Sequence, residues 1–574
     1  MRNAHHYAAT THRPVSRAGR FALAAPVIRD QLLAALDAAL DVAGYPAPAG
    51  GVELAPPTDP RQTADFTSNV AMKLAKPVGA PPREIAARIV EVLDAARPSH
   101  LERVEIAGPG FVNLFLAPTW LHEVVRGVVA QGDRYGHGRE YDGARINLEF
   151  VSANPTGPIH AGAGRWIAVG DAIANLLTAQ GAEVHREYYV NDAGHQLDTF
   201  ATSLLARVRG EEPPEDGYHG AYVIEMAEQL RAAHGGADGV TLDDARASHR
   251  AIVAGIRDEL ETIGVAFDTW YSEQSLHDSG AVDATLDDLR GKGVVFEHEG
   301  ATWLRATDFG DARDRVLVRS DGSPTYLLAD LAYHRSKFAR GWTHLIDIWG
   351  ADHHGQVKSL QSGLEALGYP PGEPEVLLGQ LVKLVRGGEP VRLSKRTGDI
   401  VTLADILDEV DPDVARLTFL LQGIDTAQTF DLDVVTAQSM DNPVYYVQYA
   451  HARIASIGRR AAEAGVTRLP ILDVSLAPLA HEREIELMRA LAQYPDVLLE
   501  AARLRAPHRV TTWARDFAKT FHGFYRDCRV LSDDAALTQA RLWLAEACGV
   551  ALAGALAILG VHAPDEMSRL DEEQ

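Results

Sequence analysis

The sequence is 574 residues long, 46% hydrophobic and 23% charged, which by length allows about three or four domains and is too apolar for global disorder. Seventy-nine acidic against 55 basic residues leave a net charge of −24. That is the wrong sign for a protein that coats nucleic acid non-specifically, so DNA is not expected as a partner and any RNA must be met on local basic patches. Two cysteines, Cys528 and Cys548, exclude a disulfide scaffold or a Cys-rich zinc module and suit a reducing, cytoplasmic compartment. The longest uninterrupted apolar run, Gly549–Val561, has 13 residues, short of the roughly 18 that span a bilayer, so no membrane partner is expected.

Residues 1–26 carry Arg2, Arg13, Arg17 and Arg20, with no acidic residue before Asp30. This composition is mildly that of a transit peptide; residues 1–22 are read as a disordered extension and set aside. From Asp30 the apolar residues Leu32, Leu33, Leu36 and Leu40 recur at helical spacing until Gly44. A Pro-rich connection follows, then a second amphipathic run over Arg83–Ala96. Strands are predicted at Val104–Ile106 and Phe111–Leu116, split by the turn Gly108-Pro109-Gly110. Residues 23–135 therefore read as a small α+β N-terminal domain.

From Arg145 the texture changes. Strand-like Arg145–Val151 leads through a Gly/Pro/Asn loop into a helix over Gly162–Gln180, a strand over Glu183–Val190 and a helix near Asp192–Val208. Strand, glycine-containing loop, helix and strand in that order predict a Rossmann-like parallel nucleotide-binding sheet over residues 136–402. Residues 210–218 read as a surface loop inserted in it. Further strands are predicted at Arg315–Arg319, His344–Ile348 and Glu375–Leu384, with a turn at Asp321-Gly322. Beyond Leu403 the pattern is helical throughout, with runs over Asn442–Ala464, Ala480–Leu504, Val510–Leu531 and Leu537–Leu559, predicting an all-α bundle over 403–574. The fold class is thus multidomain α/β.

Two segments carry chemistry. In Glu149–Arg165 (EFVSANPTGPIHAGAGR) a strand runs through a Pro/Gly loop to His160 at a helix start. Gly162 and Gly164 allow close approach of a ligand, and the free N–H groups suit a phosphate. In Val391–Gly398 (VRLSKRTG), Lys395 and Arg396 beside Ser394 form a cationic loop able to clamp a triphosphate. A solvated basic loop and a merely packed helix start are the plainer readings of each alone. Together they resemble the HIGH and KMSKS signatures of class I aminoacyl-tRNA synthetases.

The surrounding residues narrow the resemblance to the arginyl-tRNA synthetase family. Ser152-Ala153-Asn154-Pro155-Thr156-Gly157-Pro158, Tyr189-Val190-Asn191-Asp192-Ala193-Gly194, Tyr326-Leu327-Leu328-Ala329-Asp330 and Trp349-Gly350-Ala351-Asp352-His353-His354-Gly355 are similar to that family's runs. So are Asn442-Pro443-Val444-Tyr445-Tyr446-Val447-Gln448-Tyr449 and Leu559-Gly560-Val561-His562-Ala563-Pro564. The resemblance spans roughly residues 25–568. It implies a ligase that uses ATP, with Mg2+, to activate L-arginine to arginyl-adenylate and transfers the arginyl group to tRNA(Arg), releasing AMP and pyrophosphate. It also implies a cytoplasmic, monomeric translation enzyme needing neither zinc nor an organic cofactor. Members commonly bind tRNA before activating arginine.

Carried onto this sequence, the resemblance makes His160, Lys395 and Arg396 catalytic. ATP is expected on His160, Gly162, Gly164, Gly350, Asp352, His353, Ser394 and Lys395. Arginine is expected on Ser152, Asn154, Asn191, Glu273, Tyr326 and Asp330. Carboxylates can take the planar guanidinium in a bidentate fork that lysine cannot reproduce, and one helical turn separates Tyr326 from Asp330. Tyr445, Tyr449 and Arg453 are expected at the anticodon stem-loop, where rings stack on unpaired bases, although a core role is the default for such tyrosines. Paired His353 and His354 ordinarily suggest a metal, but no third ligand stands at metal spacing. Two positions depart from the pattern: Ala163 replaces the second His of HIGH, with Gly164 and Arg165 nearby to compensate, and Arg392 replaces the first Lys of KMSKS.

Three other readings compete. A cysteinyl enzyme needs more cysteine, and a glutamyl enzyme needs cationic recognition in place of Glu273 and Asp330. A tRNA-binding paralogue without activation is favoured only by Ala163. A dinucleotide oxidoreductase lacks its GxGxxG after the Arg145–Val151 strand.

Overall fold

The computed structural model describes residues 28–55, 57, 64–391, 401–437 and 442–567. The predicted extension at 1–22, and the cationic residues Arg392, Ser394, Lys395 and Arg396, lie outside the described residues. The chain forms two compact units, residues 1–131 and 132–574.

In the first unit, helices α1 (Ile28–Ala43), α2 (Val70–Val78) and α3 (Pro82–Ala96) accompany strands β1 (Phe66–Ser68), β2 (Leu101–Ala107) and β3 (Phe111–Leu116), followed by α4 (Thr119–Gln131). The strands form an antiparallel sheet in the order β1-β3-β2. The apolar stripes of α1 and α3 (Leu32, Leu36, Leu40; Ile85, Ile89, Leu93) are buried, as the helical spacing predicts.

The second unit opens with β4 (Arg145–Glu149), α5 (Gly164–Ala179), β5 (Glu183–Val190), α6 (His195–Arg209), α7 (Ala221–Ala233), α8 (Leu242–Ala247), α9 (His249–Thr262) and β6 (Thr269–Ser272). An excursion through α10 (Glu273–Asp278), α11 (Ala281–Gly291) and the antiparallel strands β7 (Val295–His298), β8 (Ala301–Leu304) and β9 (Arg315–Val318) leads to α12 (Tyr326–Ala339). Then follow β10 (His344–Gly350), α13 (His354–Ala366) and β11 (Glu375–Gly379). The five strands β11-β10-β4-β5-β6 form one parallel sheet. The chain starts in the middle, builds β5 and β6 on one side, then returns to add β10 and β11 on the other. The order therefore reverses between β4 and β10, and ligands of such sheets bind outside the carboxyl ends of the strands at that switch point.

The strand expected over Glu375–Leu384 is two strands. It breaks at Gln380–Leu381, where Gln380 N–H donates to the Ile424 carbonyl. The second part, β12 (Val382–Arg386), enters a separate sheet with β13 (Glu389–Pro390) and β14 (Gln428–Asp431) in the order β13-β12-β14. Strand β14 corrects the expectation of an all-helical chain beyond Leu403. Four residues, QTFD, are too few for a period-2 pattern to stand out, and their pairing with β12 is parallel and remote in sequence. It lies between the short helices α14 (Leu403–Glu409), α15 (Pro412–Phe419) and α16 (Leu432–Val435).

The all-α bundle itself is α17 (Pro443–Glu463), α18 (Glu482–Arg503), α19 (His508–Asp527) and α20 (Ala535–Ile558). Helix α20 is long and apolar enough to cross a bilayer by length and composition, because the isolated polar residues that interrupt its apolar run lower its average hydropathy too little to disqualify it. In this fold it is the core helix of the bundle, with 67% of its most apolar window buried. Cys528 and Cys548 are buried free thiols.

Candidate active site

At the carboxyl end of β4 the backbone bends sharply. Val151 has φ +69 and Ser152 φ +38, a region that a β-branched residue avoids at a cost of about 1–3 kcal/mol. Ser152 N–H closes the turn on the Phe150 carbonyl at 2.9 Å. Such outliers persist only where surroundings enforce them, and here two contacts do: Ser152 Oγ donates to Glu149 Oε1 (3.0 Å) and accepts from Tyr189 N–H (3.1 Å). The loop beyond is pinned by two tyrosine hydroxyls, Tyr188 on the Ala153 carbonyl (3.0 Å) and Tyr222 on the Thr156 carbonyl (2.7 Å). Nothing in the sequence signalled this strained turn; valine and serine are not residues that advertise positive φ.

The loop delivers His160, whose Nδ1 accepts from Gly162 N–H at 2.9 Å and caps a 3-10 turn at Ala161–Ala163. Helix α5 begins at Gly164, slightly later than predicted. Residues 401–403 pair with this segment. His160 bridges Thr402, Ala161 N–H donates to the Val401 carbonyl (3.0 Å), and Leu403 N–H donates to the Ile159 carbonyl (2.8 Å). On the other side Val391 N–H donates to the Leu384 carbonyl. The His160 segment thus shares backbone hydrogen bonds with residues 401–403, remote from it in sequence.

The residues flanking Ala163 have other work. Arg165 is buried, and its guanidinium donates to the carbonyls of Gln380 (3.3 Å), Thr426 (2.7 Å) and Gly423 (2.6 Å). It is a structural clamp and does not compensate for the missing histidine. A Cβ at Gly164 would lie 2.6 Å from the buried Phe419 ring, so glycine there serves helix packing. Gly164→Ala is expected to destabilise the fold by about 1–3 kcal/mol through overpacking, read as a lower urea midpoint; an unchanged midpoint would show that Phe419 yields.

Beside His160, across the switch point, Gly350, Asp352 and His353 stand at the carboxyl end of β10, with Asp352 and His353 exposed. On the β5 and β6 side lie Asn191, Asn154 and Glu273. With its amide nitrogen turned to Glu273, Asn191 donates to Glu273 Oε2 (2.7 Å) and the Ala193 carbonyl (3.1 Å), and its oxygen meets the Asn154 amide at 3.2 Å. Asp192 fastens β5 to the start of α10, accepting from Ser272 Oγ (2.7 Å) and Gln274 N–H (2.9 Å). Glu273 is 6% exposed; burial, then the charges of Asp330 and Asp192, push its carboxyl up to about 7. Asp330 is likewise pushed up to about 7, by burial and by Glu149 and Asp347. Neither carboxylate has an Arg or Lys ion-pair partner among the described residues. Tyr326 is 64% exposed at the start of α12, one turn from Asp330.

Below this pocket is a network that sequence reasoning missed. Asp347, Glu149 and Glu187 occupy one level of three adjacent parallel strands, Asp347 opposite Glu149 and Glu149 opposite Glu187. Like charges in register repel, and burial makes an uncompensated row untenable. Helix α12 supplies the cations. Lys337 Nζ reaches Glu149 (2.7 Å) and Asp347 (3.0 Å), and His334 Nε2 meets Asp347 at 2.7 Å. Arg340 donates to both oxygens of Glu187, which also accepts from Tyr333 and Asn147. Burial raises Asp347, but Lys337 and His334 outweigh it and hold the carboxyl at about 2. Glu149, His334 and Asp347 have the arrangement of metal ligands, yet the Lys337 ammonium already serves them as a cation. The legible signal was a carboxylate inside each predicted strand (RINLE, EVHRE, HLID).

In the bundle, Tyr445 and Tyr449 stack at 5.8 Å, and Arg453 lies 4.6 Å over Tyr449 and 4.8 Å over Tyr525. All three are half-buried on one side of α17, while Val444, Val447, Ala450, Ile454 and Ile457 fill the core. The default of core tyrosines is therefore corrected: the i, i+4, i+8 row is an aromatic and cationic surface.

A parallel sheet with its switch point between β4 and β10, a histidine at the helix start after β4 and residues 401–403 paired beside that histidine are the frame of a class I aminoacyl-tRNA synthetase. In keeping with that, the fold matches a methionyl-tRNA synthetase from Mycobacterium tuberculosis (TM-score 0.52, 11% identity, 72% of this chain and 90% of that one). The sequence matches the arginyl tRNA synthetase N terminal domain over residues 27–116, the class I (R) catalytic domain over 237–421 and the DALR anticodon binding domain over 447–567. It is 47% identical to the arginine–tRNA ligase of Moorella thermoacetica and 48% identical to that of Frankia alni, in each case over 88% of this chain and 92% of the relative. The arginyl-tRNA synthetase of Thermus thermophilus shares the fold at TM-score 0.72 and 20% identity, covering 94% of this chain and all of that one. The chain belongs to the arginyl-tRNA synthetase family.

Proposed function

We propose how this family's reaction is divided among the residues of the site. The chain is a ligase that activates L-arginine with ATP to arginyl-adenylate and pyrophosphate, then transfers the arginyl group to tRNA. The observation that carries the arginine assignment is the pair Glu273 and Asp330. These are a buried and a half-buried carboxylate raised together to about 7, a state that a guanidinium between them relieves by pairing with both. Tyr326 covers the side chain, and Ser152, Asn154 and Asn191 hold the α-ammonium and carboxylate.

ATP lies across the switch point, adenosine on Gly350, Asp352 and His353 and phosphates on Gly162 and His160. Gly164, packed on Phe419, contributes the start of the helix rather than a contact. Adenylate formation is an in-line displacement at the α-phosphorus, so the protein positions the carboxylate and stabilises charge on the phosphates. His160, Ser394, Lys395 and Arg396 do this at the departing pyrophosphate. Magnesium enters with the nucleotide. The Glu149, His334 and Asp347 cluster does not fit it, because Lys337 is already there, and an ion carried on substrate phosphates is usual for this metal. The chain needs no zinc and no organic cofactor.

Tyr445, Tyr449 and Arg453 stack on unpaired anticodon bases. Residues 23–135 form a tRNA-contacting domain, 136–402 the catalytic domain and 403–574 the anticodon-binding domain. The enzyme acts on tRNA(Arg) as a cytoplasmic monomer, needs neither DNA nor membrane, and activates arginine only with tRNA bound. Pyrophosphate exchange, run with and without tRNA(Arg), tests this with lysine and citrulline as controls. Exchange with arginine alone, and only with tRNA, is expected. Exchange without tRNA discards the tRNA requirement; no exchange by folded, tRNA-binding protein makes Ala163 decisive and the chain an inactive paralogue.

A further inference from the structure

Helix α12 carries Asp330, Tyr333, His334 and Lys337 at i, i+3, i+4 and i+7, one face of one helix. Its first turns meet substrate in the reading above; its last turns enter the carboxylate row. Lys337 is fully buried, its ammonium over the Tyr333 ring at 4.5 Å and shared by Glu149 and Asp347.

We propose that Lys337 is the positioning residue of the arginine-binding loop, acting through Glu149 on the hydroxyl of Ser152. This rests on the reading of Ser152 as an arginine ligand. Ser152 has one proton to donate and lone pairs to offer. Glu149 Oε1 accepts from Ser152 Oγ, so the Ser152 proton points at Glu149. The lone pairs then face the Tyr189 N–H and the substrate ammonium. Without the Lys337 cation, Glu149 stands in register beside Asp347 and Glu187, and the repulsion turns its Oε1 away from Ser152. The serine proton then loses its acceptor, turns outward, and opposes the ammonium it should receive. The same hydrogen bond holds Ser152 at φ +38 after Val151 at φ +69, so its loss also frees the turn that aims Asn154.

The test is a double-mutant cycle on the full chain, Lys337→Met and Ser152→Ala singly and together, read by arginine-dependent pyrophosphate exchange with tRNA(Arg). Each single variant is expected to raise the arginine KM roughly tenfold, and the double variant to resemble Ser152→Ala alone, since residues acting through one path are not additive. The ATP KM should stay within about twofold throughout, which a general loosening of the fold would not allow. Glu149→Gln runs in the same cycle with the same expectation, because a Gln amide N–H facing Ser152 reverses its proton; it carries the test should Lys337→Met fail to fold by circular dichroism. Multiplying effects, or arginine and ATP KM rising together, overturn the proposal while leaving Ser152 an arginine ligand. An unchanged arginine KM in Ser152→Ala overturns the reading of Ser152, and the lysine's route with it.

Discussion

Asp330→Asn should lower kcat/KM for arginine by about 10²- to 10³-fold while leaving the protein as stable as before or more so. The loss follows from removing one member of a buried charge pair, typically 3–5 kcal/mol. The gain follows from linkage. Asp330 and Glu273 have carboxyls raised to about 7 in the free fold against an unfolded value of about 4. Their ionised forms are disfavoured by folding. That cost is absent below about pH 4, grows as pH rises toward 7 and is complete above it. An amide never incurs it. Thermal melts at pH 5 and 8 should therefore show Asp330→Asn gaining more on the wild type at the higher pH, and the wild type's arginine KM should fall as pH rises through 7. A variant that melts lower at both pH values would mean Asp330 is paired in the free protein, and the guanidinium assignment would lose its support.

The second large effect is expected at His160. Its Nδ1 accepts the Gly162 N–H, which places the neutral ring's proton on Nε2, the donor that the proposed phosphate contact would use. His160→Ala should cost about 10²–10³ in kcat, the scale for deleting a preorganised donor of this kind, with the arginine KM within about twofold. His160→Asn separates two roles. Asparagine is a good cap and can take over the Gly162 N–H, so stability should be retained while the rate is not. If His160→Asn restores kcat, the histidine's task is capping alone.

The two tasks of His160 show why sequence goes far here and then stops. Elements with a strong internal period were readable: the buried stripes of α1 and α3, the strand Glu183–Val190 and the four bundle helices follow from residues close in the chain. What was not readable depends on partners far apart. Strand β14 exists because β12 pairs with it; α12 is a helix by pattern, but that its Lys337 sits between Glu149 and Asp347 is a fact of sheet register. The candidate site residues were named from segments that resemble a family's. Their physical states, such as the tautomer of His160, the packing of Gly164 on Phe419 and the diversion of Arg165 to three carbonyls, come only from the fold.

Helix α5 follows directly on the turn that His160 caps. Thirteen of its 16 residues are buried. Gly170 admits the Phe150 ring of the sheet side and Gly164 the Phe419 ring of α15. Asp171 pairs with Arg416, and Asn175 donates to the Ile558 carbonyl at the end of α20. No face of this helix belongs to the parallel sheet alone. The catalytic sheet and the helical bundle, separable by composition, therefore share one interior and lose it together: heat or denaturant takes both in a single cooperative step, so a destabilised bundle would cost the enzyme its chemistry before it cost only its grip on tRNA.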